Sequence, residues 1–186
     1  AVGLGADVWV LDRSMEALDR HWVQFGRNTN SVFSTADALE QHVLEADVVI
    51  GGVLIPGDKA PKLVTAEMVS NMKPGAVIVD VAIDQGGCCE TSKPTTHDNP
   101  TYVIDNVVHY CVANMPGGVP RTSTYALNNA TLPYLLTLAD KGYRQAMLDD
   151  EHLRNGLNVF TGRVTCEVVA QDLGYDYVPA LEALNS

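Results

Sequence analysis

Apolar residues along this 186-residue chain follow two alternating patterns. Short unbroken apolar runs end in an acid or in glycine. Each is followed by a segment with apolar residues three and four positions apart. Asp7-Val-Trp-Val-Leu-Asp12 predicts a strand, and Met15, Leu18, Trp22 and Phe25 predict a helix with Ser14 as its N-cap and Gly26 as its stop. Ser31 to Ser34 predicts a second strand and Ala36 to Glu45 a second helix. Asp47-Val-Val-Ile-Gly-Gly52 predicts a third strand with glycines at its end. A Pro- and Gly-punctuated loop over Val53 to Pro61 leads to a helix capped by Thr65 and running to Met72. After the turn Lys73-Pro-Gly75, Ala76 to Val81 predicts a buried strand. Strand and helix thus alternate through the first eighty residues, the pattern of a parallel sheet with crossover helices.

Beyond this point the pattern changes. Gly86 to Asn106 predicts a polar loop, Val107 to Val112 a strand, and Ala113 to Pro120 a second loop. A long helix is expected from Thr122 or Ser123 to near Gly142, kinked or broken at Pro133 because proline removes a backbone hydrogen bond. Arg144 to Asn155 predicts a further helix, and Gly156 to Thr165 a short hairpin or irregular segment. Glu167 to Leu173 predicts a last helical turn or two, with a frayed end. At the other terminus the chain opens at Ala1 rather than Met, in what reads as the end of a helix. That is the expectation for a fragment.

Composition narrows the functional classes. A hydrophobic fraction of 46% and a charged fraction of 19% suit a globular domain with a core. A net charge of -11 argues against nucleic acid and against an anionic membrane surface. No apolar run is long enough to span a bilayer. The four cysteines include the adjacent pair Cys88-Cys89, which cannot supply the spacing of a metal site, so reduced thiols and no metal are expected. His21, His42 and His152 read as surface positions on helices, and His109 as a satisfied core residue beside Tyr110.

Candidate chemistry collects at the strand ends. Ligands of open α/β sheets bind outside the carboxyl ends of the strands. Three loops leave those ends: Gly51 to Pro56, Val81 to Gly87 and Ala113 to Gly117. Their glycines and prolines suit the close approach of backbone to a flat ligand, although one such loop alone would be ordinary turn chemistry. Asp12, at the end of the first strand, stands where an acid binds the ribose of NAD, or is simply a solvated cap; neighbouring Arg13 would instead suit NADP. Asp80 ends an apolar strand and is expected to be a structural acid that accepts backbone hydrogen bonds. Asp84, further into the loop, is the expected functional carboxylate, against a plain loop-stabilising role.

The run Val79-Asp-Val-Ala-Ile-Asp-Gln-Gly-Gly-Cys88 closely resembles the alanine dehydrogenase family. Three further segments agree, in the same order: Ile50-Gly-Gly-Val-Leu-Ile-Pro-Gly-Asp-Lys-Ala-Pro61, Val112-Ala-Asn-Met-Pro-Gly117 and Thr124-Tyr-Ala-Leu-Asn-Asn-Ala-Thr-Leu-Pro133. The resemblance implies two Rossmann-like domains flanking a cleft, NAD as cofactor, and interconversion of L-alanine with pyruvate and ammonia. It implies Asp12 as the ribose-binding acid, Ser34 beside the adenine, and Val53 and Leu54 along the cofactor. Val81 would approach the nicotinamide side, Asp84 would be the active-site acid, and Asn114 and Met115 would line the nicotinamide and substrate end. The family's substrate-binding Arg and Lys, its catalytic His and its first Rossmann strand with the glycine loop have no counterpart in this chain. The expectation is therefore an incomplete Rossmann-like, doubly wound parallel sheet over residues 1–118. A helical segment over 119–186 would return to a first domain outside this chain. A cytoplasmic homo-oligomer, commonly a hexamer, is implied by the resemblance as well. The related NAD(H)-binding subunit of proton-translocating transhydrogenase and a non-catalytic nucleotide-binding module are the alternatives.

Overall fold

The computed structural model of the chain describes residues 1–53 and 60–186 and is a mixed α/β structure. The elements of its first part are β1 (Trp9–Asp12), α1 (Met15–Phe25), β2 (Asn30–Phe33), α2 (Ala36–Glu45), β3 (Val48–Gly51), α3 (Ala66–Ser70), β4 (Val77–Asp80), β5 (Thr101–Ile104) and β6 (Val107–Tyr110). Those of its second part are α4 (Pro120–Asp149), α5 (Glu151–Asn155), β7 (Val159–Phe160), β8 (Arg163–Val164), α6 (Glu167–Leu173) and α7 (Ala180–Asn185). The chain divides into two compact units that meet at Ala113 and Asn114. That junction lies a few residues before the expected boundary at 118/119.

In the first unit the helices start where the sequence places them. Ser14, Thr35 and Thr65 each cap a helix by accepting the backbone N–H three residues on, from Ala17, Ala38 and Met68. β1 pairs with β2, β3 with β4, and β4 with β6, all parallel. The strands form two sheets, β1-β2 and β3-β4-β6-β5. Among the described residues, nothing pairs with the outer edges of β1 and β3. α2 bridges the two sheets. His42 stacks on Trp9 of β1 with ring centroids 4.5 Å apart, while Val43 and Leu39 pack with Val69, Ile78 and Val107 in the core. His42 and His21 are thus half-buried with aromatic neighbours rather than solvated surface positions.

One strand was illegible as such. Thr101–Ile104 falls in the expected polar loop, yet it pairs antiparallel with β6. Asp105 and Asn106 join the two strands with φ of 51° and 62°, the left-handed pair that a tight hairpin demands. The expected helical end at the start of the chain is instead a 3-10 turn, Val2–Leu4.

The second unit is mostly helical. The dihedrals of α4 stay helical across Pro133 and leave the helical region at Gly142, with φ 74° and ψ 154°. The expected kink or break at Pro133 is therefore absent, while the helix end expected near Gly142 is found at that glycine, which tolerates a left-handed φ. Asp150 ends the following segment and caps α5, accepting from the N–H groups of His152 and Leu153. The hairpin β7-β8 matches the expected one. The C-terminus is packed rather than frayed: Ala183 and Leu184 of α7 are fully buried, and Arg144 and Arg163 donate to the carbonyls of Leu184 and Ala183.

Candidate functional site

The first unit gathers chemistry at the carboxyl ends of both its sheets. On the smaller sheet, Asp12 and Phe33 are register partners, and the N–H of Ser34 donates to the carbonyl of Asp12 at 3.0 Å. Among the described residues the exposed Asp12 carboxylate accepts only the N–H of Ser14, at 2.8 Å, which leaves acceptor capacity facing solvent. Asp12 and Ser34 are thus side by side at the carboxyl ends of β1 and β2.

On the larger sheet, Gly51 of β3 and Asp80 of β4 are register partners. Asp80 is fully buried, and its Oδ2 accepts three hydrogen bonds: from Cys88 N at 2.9 Å, Cys89 N at 3.2 Å and Ser92 Oγ at 2.6 Å. The Cys88 thiol donates to Oδ1 at 3.5 Å. This is the structural acid expected at the strand end. Backbone N–H groups of the loop, rather than a cation, stabilise the buried charge. Burial first, and the Asp80 charge second, push the Cys88 thiol up to about 12, so it stays protonated at neutral pH. The clasp depends on two glycines. A Cβ on Gly51 would run into Cys88 Sγ, and one on Gly87, at φ 76°, would lie 2.7 Å from Asp80 Oδ2.

Behind the clasp, His109 is fully buried and stacks on Tyr102 with centroids 5.0 Å apart. Its Nδ1 lies 3.0 Å from the Val107 carbonyl, which can only accept, so Nδ1 carries the proton. Nε2 then accepts from Thr91 Oγ1 at 2.7 Å. Both ring nitrogens are satisfied, as the reading of a core histidine requires. Burial pushes the Tyr102 hydroxyl pKa upward, so it remains a donor, here to the Thr91 carbonyl at 2.9 Å.

From this rigid base β4 runs into the 3-10 turn Val81–Gln85. Asp84 sits in that turn, exposed, while Ala82 and Ile83 just before it are buried. Val81 is half exposed at the strand end. Val53 packs against Ala60, Ala82 and Cys88. Leu54 lies outside the described residues. Asn114 and Met115 belong to the second unit, where Asn114, at φ 59°, opens the 3-10 turn Met115–Gly118.

The chain matches the family model "Alanine dehydrogenase/PNT, C-terminal domain" over residues 1–167. It belongs to that family. The alanine dehydrogenase of Halomonas elongata is 60% identical over the whole chain, and that of Bacillus subtilis 57%. The chain spans about half the length of these relatives, 50% and 49%. A solved L-alanine dehydrogenase superposes on 93% of the chain with a TM-score of 0.82 at 48% identity, covering 48% of that structure. A transhydrogenase from Sinorhizobium meliloti superposes on 74% of the chain and 39% of its own, with a TM-score of 0.65 at 28% identity.

Two residues escape a reading of the sequence. Ser92 supplies the shortest bond to Asp80, and Lys62 reaches across to the Asp84 loop. Neither lies in a motif that marks it; only folding brings them to the loop.

Proposed function

We propose that this chain is the nucleotide-binding half of an NAD-dependent alanine dehydrogenase, which converts L-alanine reversibly to pyruvate and ammonia. The observation that carries the reading is the exposed Asp84 carboxylate, held just past the end of β4 on a turn whose base is locked by Asp80. Identities of 52% and above to alanine dehydrogenases along the chain support it.

The residues present fit a dinucleotide. Asp12 has free acceptor sites for ribose hydroxyls and, as a carboxylate, disfavours a 2′-phosphate. Ser34 lies beside it for the adenine end. At Gly52 and Gly86 an added Cβ would meet nothing within 4 Å, so bare backbone is open at the ends of β3 and β4. Val53 and Val81 offer apolar surface along the cofactor, and the family resemblance adds Leu54 to them. Asn114 and Met115 serve the nicotinamide and substrate end. NAD, when bound, accepts the hydride leaving Cα of alanine. Asp84 binds the substrate amine or its hydrolytic water and steers the proton taken from it. The general acid/base is a histidine outside this chain. The enzyme acts in the cytoplasm as a homo-oligomer, in keeping with the family resemblance.

The test is Asp84→Asn in a full-length enzyme carrying this chain, followed by NADH absorbance with alanine. Turnover is expected to fall on the order of a hundred-fold or more while NAD affinity holds. Turnover within a few-fold of the parent removes Asp84 from the chemistry. The likeness to transhydrogenase favours a second reading, nicotinamide-to-nicotinamide hydride transfer. Reduction of an NADP analogue by NADH, without any alanine-dependent signal, would select it.

A further inference from the structure

The loop that presents Asp84 is gripped from two sides. Asp80 holds its N–H groups from inside. Its carbonyls need partners too, because Gly86 and Gly87 take consecutive left-handed conformations, at φ 90° and 76°, and stand outside any ladder. Lys62 supplies them. Its ammonium donates to Gly86 O at 2.6 Å, Gly87 O at 2.9 Å and Cys89 O at 3.2 Å. An ammonium has three N–H groups, and all three are used on one loop. The backbone around Lys62 is stitched to the same loop: Ala60 N donates to Gln85 O at 2.9 Å, Leu63 N to Cys88 O at 2.8 Å, and Glu90 N to Val64 O at 2.9 Å. The bond Ala60 makes is to the carbonyl immediately after Asp84.

We propose that Lys62 is the positioning residue of the active-site turn: its ammonium fixes the carbonyls of residues 86, 87 and 89 and thereby the presentation of the Asp84 carboxylate. An exposed lysine carries a large rotamer entropy, so three simultaneous bonds to main-chain carbonyls mark a constrained role rather than a solvated one. The inference rests on the reading of Asp84 as the functional acid. It adds that residues 60–64 and the loop after β4 act as one piece. Misplacement of a reacting group by about 1 Å costs on the order of a hundred-fold in rate, so the effect should be kinetic more than structural.

The experiment uses a full-length enzyme carrying this chain. Lys62→Met, Lys62→Arg, Asp84→Asn and the double variant K62M/D84N are compared for kcat, KM for alanine, NAD affinity and thermal midpoint. K62M is expected to lower kcat about ten- to a hundred-fold, with NAD affinity within about two-fold, because Asp12 and Ser34 lie on the other sheet. K62R, which keeps a cation with several donors, should recover most of the loss. The double variant should be no slower than D84N alone, since Lys62 acts through Asp84. A K62M enzyme at parental speed, or one whose loss multiplies onto that of D84N, overturns the proposal. If K62M does not fold, Lys62→Gln, which retains two donors, takes the same comparison with the same two outcomes. A D84N enzyme at parental speed overturns the reading of Asp84 and this proposal with it. A slow D84N beside a fast K62M overturns this proposal alone.

Discussion

The two sheet edges of the first unit are built on opposite principles. At the end of β1, Asp12 and Ser34 are adjacent through backbone register alone, and the carboxylate keeps most of its acceptor capacity for solvent. At the end of β4, Asp80 spends its Oδ2 on three donors, Lys62 spends its three protons on carbonyls, and two glycines are shaped around them. Binding a ribose needs only an available acceptor. The loop that carries the exposed Asp84 is instead held by buried polar bonds, as the proposed presentation of a functional acid would require.

The largest break in this contrast should come from Asp80→Ala. It leaves two buried N–H groups and a hydroxyl without an acceptor, at a cost of about 3–5 kcal/mol, seen as a lower denaturation midpoint in urea. Gly87→Ala forces a side chain into φ 76° and against Asp80 Oδ2, and is expected to cost about 2–3 kcal/mol by the same measurement. The Cys88 thiol gives a pH signature. Its pKa rises on folding, first through burial and then through Asp80, from 9.0 to about 12. The folded state therefore favours the protonated form, and this stabilisation is full below pH 9 and lost as pH rises from 9 towards about 12. Alkaline unfolding curves should show that loss in the parent and not in Cys88→Ala. A thiol reagent at pH 8 should leave Cys88 unmodified in the native protein. The smallest stability effect belongs to the other edge. Asp12→Ala should change stability by less than about 0.5 kcal/mol, yet weaken NAD binding to the full-length enzyme roughly ten-fold. A large stability loss at Asp12, or a small one at Asp80, would erase the contrast.

Much of this was legible in the chain. The N-caps at Ser14, Thr35 and Thr65, the apolar runs and the alternating elements follow from local periodicity and hydrogen-bonding chemistry, which act over a few residues. So does the contrast in burial between Asp80 and Asp84, because a residue at the end of an apolar run is buried and one in the following turn is not. The Thr101–Ile104 strand was hidden because it is four residues long inside a polar stretch and its partner is set by a hairpin turn of Asp and Asn. The helix end near Gly142 was legible because a glycine takes a backbone angle the helix cannot hold, whereas the kink expected at Pro133 is absent, since one missing donor did not disturb the helical dihedrals there.

What the sequence alone determined is the alternation of strands and helices through the first eighty residues, the acids at their ends and the family to which they belong. What only the tertiary structure decided is which groups meet across long separations: Ser92 with Asp80, Thr91 with His109, Lys62 with the carbonyls of Gly86, Gly87 and Cys89. The reason is physical. Local pattern fixes the backbone's periodicity, but the partner of a buried charge or an unladdered carbonyl is chosen by whichever segment the packed core brings within about 3 Å of it.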